Sequence, residues 1–412
     1  MESQNMMENI IPHIYSITNN QNFIKKRMQN NIIKYIYNEV QEAEKEIKKL
    51  HKTNQISQKI DYFENGNKKI FPSIFNSHYI VDYIQSYTKE HILGYSKLKV
   101  ELFNHKIEIL FSLLNKGGED IYVLGNSLIF NMFIWLYIAS KHSKSHCAET
   151  LKIYCFMTPF KKFLPQNNYN ILSPEHCNSA VTTSCQKNGE ICIFRKEEFL
   201  KVLIHESFHI FGLDFSSLPI STLQKQMRMI FPIQSEMELS ESYTEIWATI
   251  INSFICANNL SKKNDFTDFI GYLDFCTRME QIFSLFQLNK ILNFMNMDYQ
   301  NLYEKDDISI AARRYLYKEK TNVFPYYIIK TMFLCNIDKF LEWCKKNNET
   351  ASNNIFNFNK TFSNLELFGE LIKNLYKKKT FIEQIKKIKI IDKKNHPIEF
   401  IKTMRMTLCE LN

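Results

Sequence analysis

Residues that interrupt helices are scarce in this chain, because only nine of its 412 residues are glycine and nine are proline. Hydrophobic residues make up 45% of the sequence and charged residues 23%, which is typical of a globular protein with a sizeable core. Few breaks and many long side chains favour helices. We therefore predict an α+β protein that is mainly α, with helices on both sides of a small sheet.

The sequence predicts strands in only a short part of the chain. They occupy residues 151–157, 178–183 and 190–195, and a polar turn containing Asn188-Gly189 predicts a hairpin between the last two. The residues before them read as helical, including an amphipathic segment at 31–50 and a stretch at 79–111. The pattern is helical again from Lys196 onward.

These textures predict three consecutive regions. Residues 1–150 form a helical N-terminal region, residues 151–345 form a central domain that begins with the strands, and residues 346–412 form a C-terminal helical segment that opens with an asparagine-rich loop. We find no internal repeat.

The net charge and the cysteines indicate which kinds of binding partner and which cellular compartment to expect. The net charge of +9 is spread over short basic runs, and no nucleic-acid-binding module is recognisable, so we expect no specific nucleic-acid partner. The ten cysteines form no CxxC pair and no secretory signal is recognisable, which predicts reduced thiols and a cytoplasmic location.

One segment has the length of a membrane span. Residues 121–140 carry no charge, yet they include Gly125, Asn126, Ser127 and Asn131. We therefore predict a buried strand and helix there, and no membrane insertion.

The segment from Val202 to Phe211 contains the pattern H-E-x-x-H. On a helix, His205 and His209 lie one turn apart on the same face, where two imidazoles can bind one metal ion. Glu206 is displaced by about 100° around the helix, where it can act as the base toward a water molecule. The pattern predicts a Zn²⁺ site in a hydrolase, with Glu206 as the catalytic residue.

Apolar residues flank the motif on nearly every side of the helix, so the helix is predicted to be buried. Two histidines and a glutamate are costly to bury unless something pairs with them, and a metal ion supplies that pairing. The alternative is a pair of hydrogen-bonded core histidines beside a surface glutamate.

The third ligand must come from outside the motif. Asp214 follows closely, but Glu241 is the stronger prediction because it lies on the next long helical pattern, opposite an apolar stripe that includes Tyr243. Glu238 and Glu245 lie on the same face as Glu241 and remain alternative ligands.

The sequence V-x-x-H-E-x-x-H with uncharged flanks, followed by Glu241-Ser-Tyr-Thr-Glu245, resembles the gluzincin branch of the zincin metallopeptidases over residues 151–254. The resemblance implies that residues 151–345 form a zincin-like catalytic domain with a small sheet and a central H-E-x-x-H helix. It implies a peptide or protein substrate, Glu241 as the third ligand, and Glu245 as the acid that holds His205 in place. The gap between His209 and Glu241 is longer than in thermolysin-like enzymes.

A broader combination of segments points to a source. Three segments together resemble uncharacterised metallopeptidase-like proteins of giant DNA viruses. They are Arg-Lys-Glu-Glu before the motif helix, residues 241–245 after it, and Thr321-Asn-Val-Phe-Pro-Tyr-Tyr. The resemblance implies a viral protein of the host cytoplasm or the virion.

Substrate contacts are less sharply predicted. The strand at 178–183 is polar and small enough to be an edge against which an extended peptide could bind. The donors that could stabilise the developing oxyanion are Tyr326, Tyr327, Arg313 and Arg314, each with a structural role as the alternative. The competing hypothesis for the whole chain is a zincin-fold structural or binding protein that has lost activity, for example a virion component.

Overall fold

The fold comes from a computed structural model in which residues 2–18, 31–63, 69–114, 126–143, 146–263, 265–348, 354–392 and 397–410 are described. The strands are β1 (Ser57–Tyr62), β2 (Gly94–Leu102), β3 (His105–Leu113), β4 (Thr150–Thr158), β5 (Ala180–Thr182) and β6 (Asn188–Arg195). The helices up to residue 260 are α1 (Glu2–Ile10), α2 (Ile14–Ile17), α3 (Asn31–Lys52), α4 (Asp82–His91), α5 (Ser127–His142), α6 (Pro174–Cys177), α7 (Phe199–Ile210), α8 (Ser221–Ile230) and α9 (Leu239–Leu260). The later helices are α10 (Phe266–Phe294), α11 (Asp307–Tyr315), a π-helix (Phe324–Ile329), α12 (Lys330–Cys335), α13 (Ile337–Asn348), α14 (Phe362–Leu375), α15 (Lys379–Ile391) and α16 (Ile398–Lys402). Short 3-10 helices lie at Ile11–His13, Ser73–Asn76 and Tyr299–Leu302.

All six strands belong to one mixed sheet in the order β1-β2-β3-β4-β6-β5. The pairs β3–β4 and β4–β6 are parallel, whereas β1–β2, β2–β3 and β5–β6 are antiparallel. Most of the other described elements are helices, so the prediction of a mainly α fold with a small sheet is confirmed at that level.

The chain forms two compact units, each assembled from separate stretches of sequence. The sheet unit contains Ile33–Lys161, Asn178–Ser217 and Glu410–Asn412, and the helical unit contains Met1–Ile32, Lys162–Cys177 and Leu218–Cys409. These units differ from the predicted consecutive regions with boundaries at 150 and 345. One physical reason is that β3 pairs with β4 across the first of those boundaries.

The prediction of a helical N-terminal region is wrong between residues 57 and 113, where β1, β2 and β3 lie. The predicted helical stretch at 79–111 contains only α4 before two long strands. In β2, the buried residues Leu98, Val100 and Leu102 alternate with more exposed charged residues, which is the two-residue period of a strand with one solvated face. This alternation is the signal that the helical interpretation missed.

The three predicted strands are present as β4, β5 and β6, and β5 pairs with β6 as the hairpin prediction required. Gly189, however, lies inside β6 rather than in the turn. A methyl group at Gly189 would stand 2.5 Å from Cδ1 of Ile210, at the end of α7. The glycine therefore allows α7 to pack closely on the strand.

The uncharged segment at 121–140 forms α5 from Ser127 onward, and Asn126 caps the helix by accepting a hydrogen bond from the Leu128 N–H at 2.8 Å. Residues 121–125, where the strand was predicted, lie outside the described residues. Among the helices that the structure describes, none has both the length and the apolar character needed to cross a bilayer.

The helical unit is built on the long helices α9 and α10, which pack against each other. Tyr243 is fully buried in α9, as predicted, and its hydroxyl donates to the carbonyl of Phe356 at 3.0 Å. On α10, the buried Glu280 carboxylate accepts hydrogen bonds from the backbone N–H groups of Leu408 and Cys409, at 2.8 and 2.7 Å. This contact fixes the last residues of the helical unit in its interior.

Candidate metal centre

Helix α7 carries the H-E-x-x-H motif, and all twelve of its residues are buried, as the apolar flanks predicted. It packs against β5, β6 and α5 of the sheet unit, where Phe208 stacks on Trp135 with ring centroids 5.6 Å apart. The helix begins after Glu198, whose left-handed backbone (φ +61°) separates it from the segment that follows β6. The Glu198 N–H donates to the Glu410 carboxylate at 2.7 Å.

The two motif histidines face each other across one helical turn. Their ring centroids are 5.1 Å apart, and the Nε2 atoms of His205 and His209 are separated by 3.4 Å. Both side chains are buried, with 6% and 7% of their surface exposed. Two imidazole nitrogens held this close in a buried site favour a shared proton or cation between them.

Asp214 contacts the His209 ring at Nδ1, the nitrogen that does not face His205. Its Oδ2 lies 2.6 Å from Nδ1 of His209, and its Oδ1 accepts a hydrogen bond from Ser216 at 3.0 Å. A carboxylate at Nδ1 places the proton of a neutral imidazole there and leaves the lone pair on Nε2. The sequence suggested Asp214 only as a metal ligand, whereas in the structure its carboxylate orients the His209 ring.

The turn between His209 and Asp214 depends on Gly212. Its φ of +64° is in the left-handed region, and its N–H donates to the His209 carbonyl at 3.1 Å while the Leu213 N–H donates to the Phe208 carbonyl at 2.8 Å. This pattern is a glycine cap at the end of α7. The chain reverses there and returns Asp214 to the helix.

Glu206 is buried beside His205 on α7, with 8% of its surface exposed. The i, i+1 spacing places its side chain about 100° around the helix from His205. His205, Glu206 and His209 thus lie on one buried helix of the sheet unit, and the role of Glu206 as the base stays a prediction.

Glu241 belongs to the first turn of α9 and is half-buried. Its Oε2 accepts a hydrogen bond from the Tyr326 hydroxyl at 2.7 Å. Tyr326 lies in the π-helix, a rare element that often occurs at functional sites. Glu238 immediately precedes α9, and its pKa is raised. The main cause is burial, and the negative charges of Glu241 and Glu236 contribute less.

His205, His209 and Glu241 form a candidate metal-binding group, because their ligand atoms all lie within 4.8 Å of one another. Within the described part of the chain, this group includes none of the alternative acids Glu238, Glu245 and Asp214. A second group, whose members are His146, Cys147 and Cys185, meets the same distance criterion.

The sulfurs of the second group are bonded to each other. Cys147 and Cys185 form a disulfide, so the prediction of reduced thiols is wrong for this pair; the other eight cysteines, all within the described residues, form no disulfide. The segments that precede β4 and β6 are hydrogen-bonded through the Ala148 N–H and the Gln186 carbonyl at 2.6 Å. This pairing brings together two cysteines 38 residues apart, which no local sequence pattern could indicate.

The remaining predicted site residues have other surroundings. Glu245 is fully buried on α9, and its predicted contact with His205 stays a prediction. The Tyr327 hydroxyl donates to the Met404 carbonyl at 2.7 Å. Arg313 is buried and donates to the Asn301 carbonyl, whereas Arg314 is exposed and lies over the Tyr315 ring.

The predicted edge strand is confirmed as an edge. Strand β5 is the last in the sheet and pairs only with β6, so its other side offers backbone groups that no strand of this sheet uses. It also packs against α7, the helix that carries the motif.

Comparison with known proteins finds one distant relative to report. The chain is 25% identical over 198 residues to the uncharacterized protein R210 of Acanthamoeba polyphaga mimivirus, and the match covers 46% of this chain and 47% of that protein. The chain thus spans about half the length of the relative it matches. No family model and no solved structure matches the chain.

Proposed function

We propose that this chain is a zinc-dependent hydrolase of peptide bonds, with His205, His209 and Glu241 as metal ligands and Glu206 as the general base. The observation that carries the proposal is the candidate metal-binding group, whose ligand atoms lie within 4.8 Å of one another. Two imidazoles and one carboxylate are the ligands of many catalytic zinc sites, which keep a fourth position for water or substrate.

The spacing of the ring nitrogens fits zinc. Tetrahedral Zn²⁺ with Zn–N bonds of about 2.0–2.1 Å requires ligand nitrogens roughly 3.4 Å apart. The Nε2 atoms of His205 and His209 are 3.4 Å apart. Asp214 also supports the proposal, because a carboxylate at Nδ1 of His209 keeps the Nε2 lone pair available and increases its basicity.

The chemistry follows from the positions of the side chains. When bound, a zinc ion would lower the pKa of a water molecule and polarise a substrate carbonyl. Glu206 accepts the proton of the attacking water and then delivers it to the leaving nitrogen. The two transfers are balanced, because Glu206 is a carboxylate again at the end of the cycle.

We assign substrate positioning to two features. An extended peptide adds to the free side of β5, where main-chain hydrogen bonds hold it without regard to its sequence. We assign oxyanion stabilisation to the Tyr326 hydroxyl, which donates to Glu241 at 2.7 Å and would turn its proton to the carbonyl oxygen as negative charge develops there.

We also propose a viral source, with the protein acting in the host cytoplasm or the virion. The match to a mimivirus protein supports the source. That relative is uncharacterized, so the proposed activity rests on the site alone.

The activity test compares wild type with Glu206→Gln on a library of unstructured peptides. Without Glu206, α7 carries no carboxylate to take the proton, so cleavage should fall roughly a hundredfold to ten-thousandfold while bound zinc is unchanged. Glu236→Gln is the matched control, since Glu236 is exposed and close in sequence to Glu241; it should retain full activity. Zinc-loaded wild type that cleaves no peptide would contradict the proposal and favour an inactive zincin-fold scaffold.

A further inference from the structure

The disulfide between Cys147 and Cys185 lies against the turn that ends the motif helix. A methyl group added at Gly212 would stand 2.9 Å from Sγ of Cys147 and 3.5 Å from Cβ of Cys185. Contacts below 3.0 Å essentially never occur between real atoms of this kind, so the bridge and the turn are packed with no spare room. All three residues belong to the sheet unit.

The same turn connects two residues of the metal centre. Gly212 donates to the His209 carbonyl, and Asp214, two residues later, holds Nδ1 of His209 at 2.6 Å. A displacement of Gly212 therefore moves the Asp214 carboxylate, and this changes the orientation of the His209 imidazole.

We propose that the Cys147–Cys185 disulfide is a thiol–disulfide exchange site whose reduction loosens the metal centre through the Gly212 turn. The coupling to zinc rests on the function proposed above. Two thiol sulfurs cannot stay at bonding distance, so reduction forces them apart, and Sγ of Cys147 packs so closely against the Gly212 backbone that not even a methyl group fits between them. The expected consequence is a shifted turn, a weaker Asp214–His209 contact and lower zinc affinity.

The site has the features that exchange requires. Cys185 is half-buried whereas Cys147 is fully buried, so an incoming thiolate can reach only the Cys185 sulfur readily. His146 is exposed, and one of its ring nitrogens lies within 4.8 Å of both sulfurs. An imidazole at that distance stabilises a departing thiolate.

The reductant is a dithiol, either a small molecule or a protein. One of its thiolates attacks Sγ of Cys185, the S–S bond breaks, and Cys147 leaves as a thiolate that takes up a proton. The second thiolate of the dithiol then attacks its own sulfur in the mixed disulfide and releases Cys185. Two electrons pass to the protein disulfide, and the dithiol becomes a disulfide.

Reduction should be reversible, because the bridge is not the only link between its two segments. The Ala148 N–H donates to the Gln186 carbonyl, and the Thr150 N–H donates to the Lys187 carbonyl at 3.0 Å. His105 also contacts the Ala148 carbonyl through Nδ1 at 2.8 Å. These bonds keep the two cysteines side by side when the bridge is open.

The test measures zinc affinity with a competing chelator on oxidised wild type and on wild type reduced with a phosphine and desalted without air. Alkylation and mass spectrometry establish the state of Cys147 and Cys185. Reduction should weaken zinc binding about tenfold to a hundredfold, the usual cost of a loosened ligand partner, and reoxidation should restore it. The absorption bands of Co²⁺ bound in place of zinc should shift in parallel, which a general loss of folded protein would not produce.

Variants separate the outcomes. Cys147→Ser/Cys185→Ser should bind zinc as reduced wild type does and should not respond to redox state, whereas Cys335→Ser, a change at a half-buried free cysteine, should respond as wild type does. Equal zinc affinity in oxidised and reduced wild type would overturn the coupling while leaving the proposed function intact. Absence of zinc from oxidised wild type would overturn both. Zinc bound by the reduced but not the oxidised form of His205→Ala would place a metal on the cysteines and overturn the proposal.

Discussion

His209 uses its two ring nitrogens for different contacts. Nδ1 lies 2.6 Å from the Asp214 carboxylate, and Nε2 lies 3.4 Å from Nε2 of His205. A single acidic residue five positions along the chain thus decides which nitrogen is available to a metal ion. The sequence drew attention to Asp214 because it follows the motif closely, but only the reversed turn at Gly212 explains why it contacts the back of the imidazole.

The role of Asp214 can be tested by removing its carboxylate. Asp214→Ala should weaken zinc binding about tenfold to a hundredfold, because the His209 ring loses the partner that fixes its tautomer and orientation. Ser216→Ala is the matched control, since it removes only the hydrogen bond to the other carboxylate oxygen and should have a much smaller effect. Chelator competition measures both affinities, and an unchanged affinity in Asp214→Ala would contradict this role.

Glu319 is an acid outside the metal centre whose surroundings favour its neutral form. Burial raises its pKa from the ordinary 4.5 to about 8, although the Phe324 N–H and the Tyr317 hydroxyl donate to its carboxyl group. A carboxyl group with a raised pKa stabilises the fold fully below pH 4.5. That contribution is lost as the pH rises through about 8.

The free energy of unfolding should therefore fall with pH more steeply in wild type than in Glu319→Gln, which stays neutral. The difference in slope between pH 5 and 8 should be up to about 1.4 kcal/mol per pH unit, the value for one proton. Urea denaturation at several pH values measures it. Parallel pH profiles for the two proteins would show that the pKa of Glu319 is not raised.

Among the elements, α7 was the most predictable and β2 and β3 were the least. The motif helix is recognisable because charged and imidazole residues lie inside an apolar run. The strands β4, β5 and β6 are recognisable because turn residues bound them. In β2, lysine and glutamate alternate with apolar residues, but long polar side chains are also typical of helices. The pairing of β2 with β3 along nine residues decides in favour of the strand, and that pairing is not a local property.

The glycine cap of α7 gives a prediction for an element. Gly212→Ala should lower the free energy of unfolding by about 1–2 kcal/mol, because alanine is strained in the left-handed region, and the clash with Cys147 adds to that cost. Gly271→Ala is the matched control. It lies within α10, where an added methyl group meets nothing within 4 Å, so it should stabilise the protein by about 0.5–1 kcal/mol.

Urea denaturation of the two variants beside wild type measures both changes. A Gly212→Ala protein as stable as wild type would mean that the turn can adopt another conformation. In that case Gly212 could not position Asp214 as described.

At the scale of the whole molecule, each unit is assembled from distant parts of the sequence. The helical unit includes residues near the N-terminus together with Leu218–Cys409, and Glu280 binds backbone N–H groups 128 and 129 residues further along. Composition and periodicity report on neighbours in sequence, so they could indicate a mainly α protein with a small sheet but not this division. Sequence patterns were also insufficient to single out Glu241 as a ligand. The sequence favoured it but left Glu238 and Glu245 on the same face as alternatives, and the structure shows Glu241 as the acid whose ligand atom lies near those of His205 and His209.

The proposed zinc site is tested by the metal content of the purified protein, measured by mass spectrometry for wild type, His205→Ala and Glu241→Ala. The proposed site predicts about one zinc per chain in wild type and its loss from both variants, because removing one of three protein ligands leaves too few to retain the ion. Glu238→Ala, which changes an acid outside the group, should keep the zinc. Wild type without stoichiometric metal, or Glu241→Ala that retains it, would contradict the proposed zinc site.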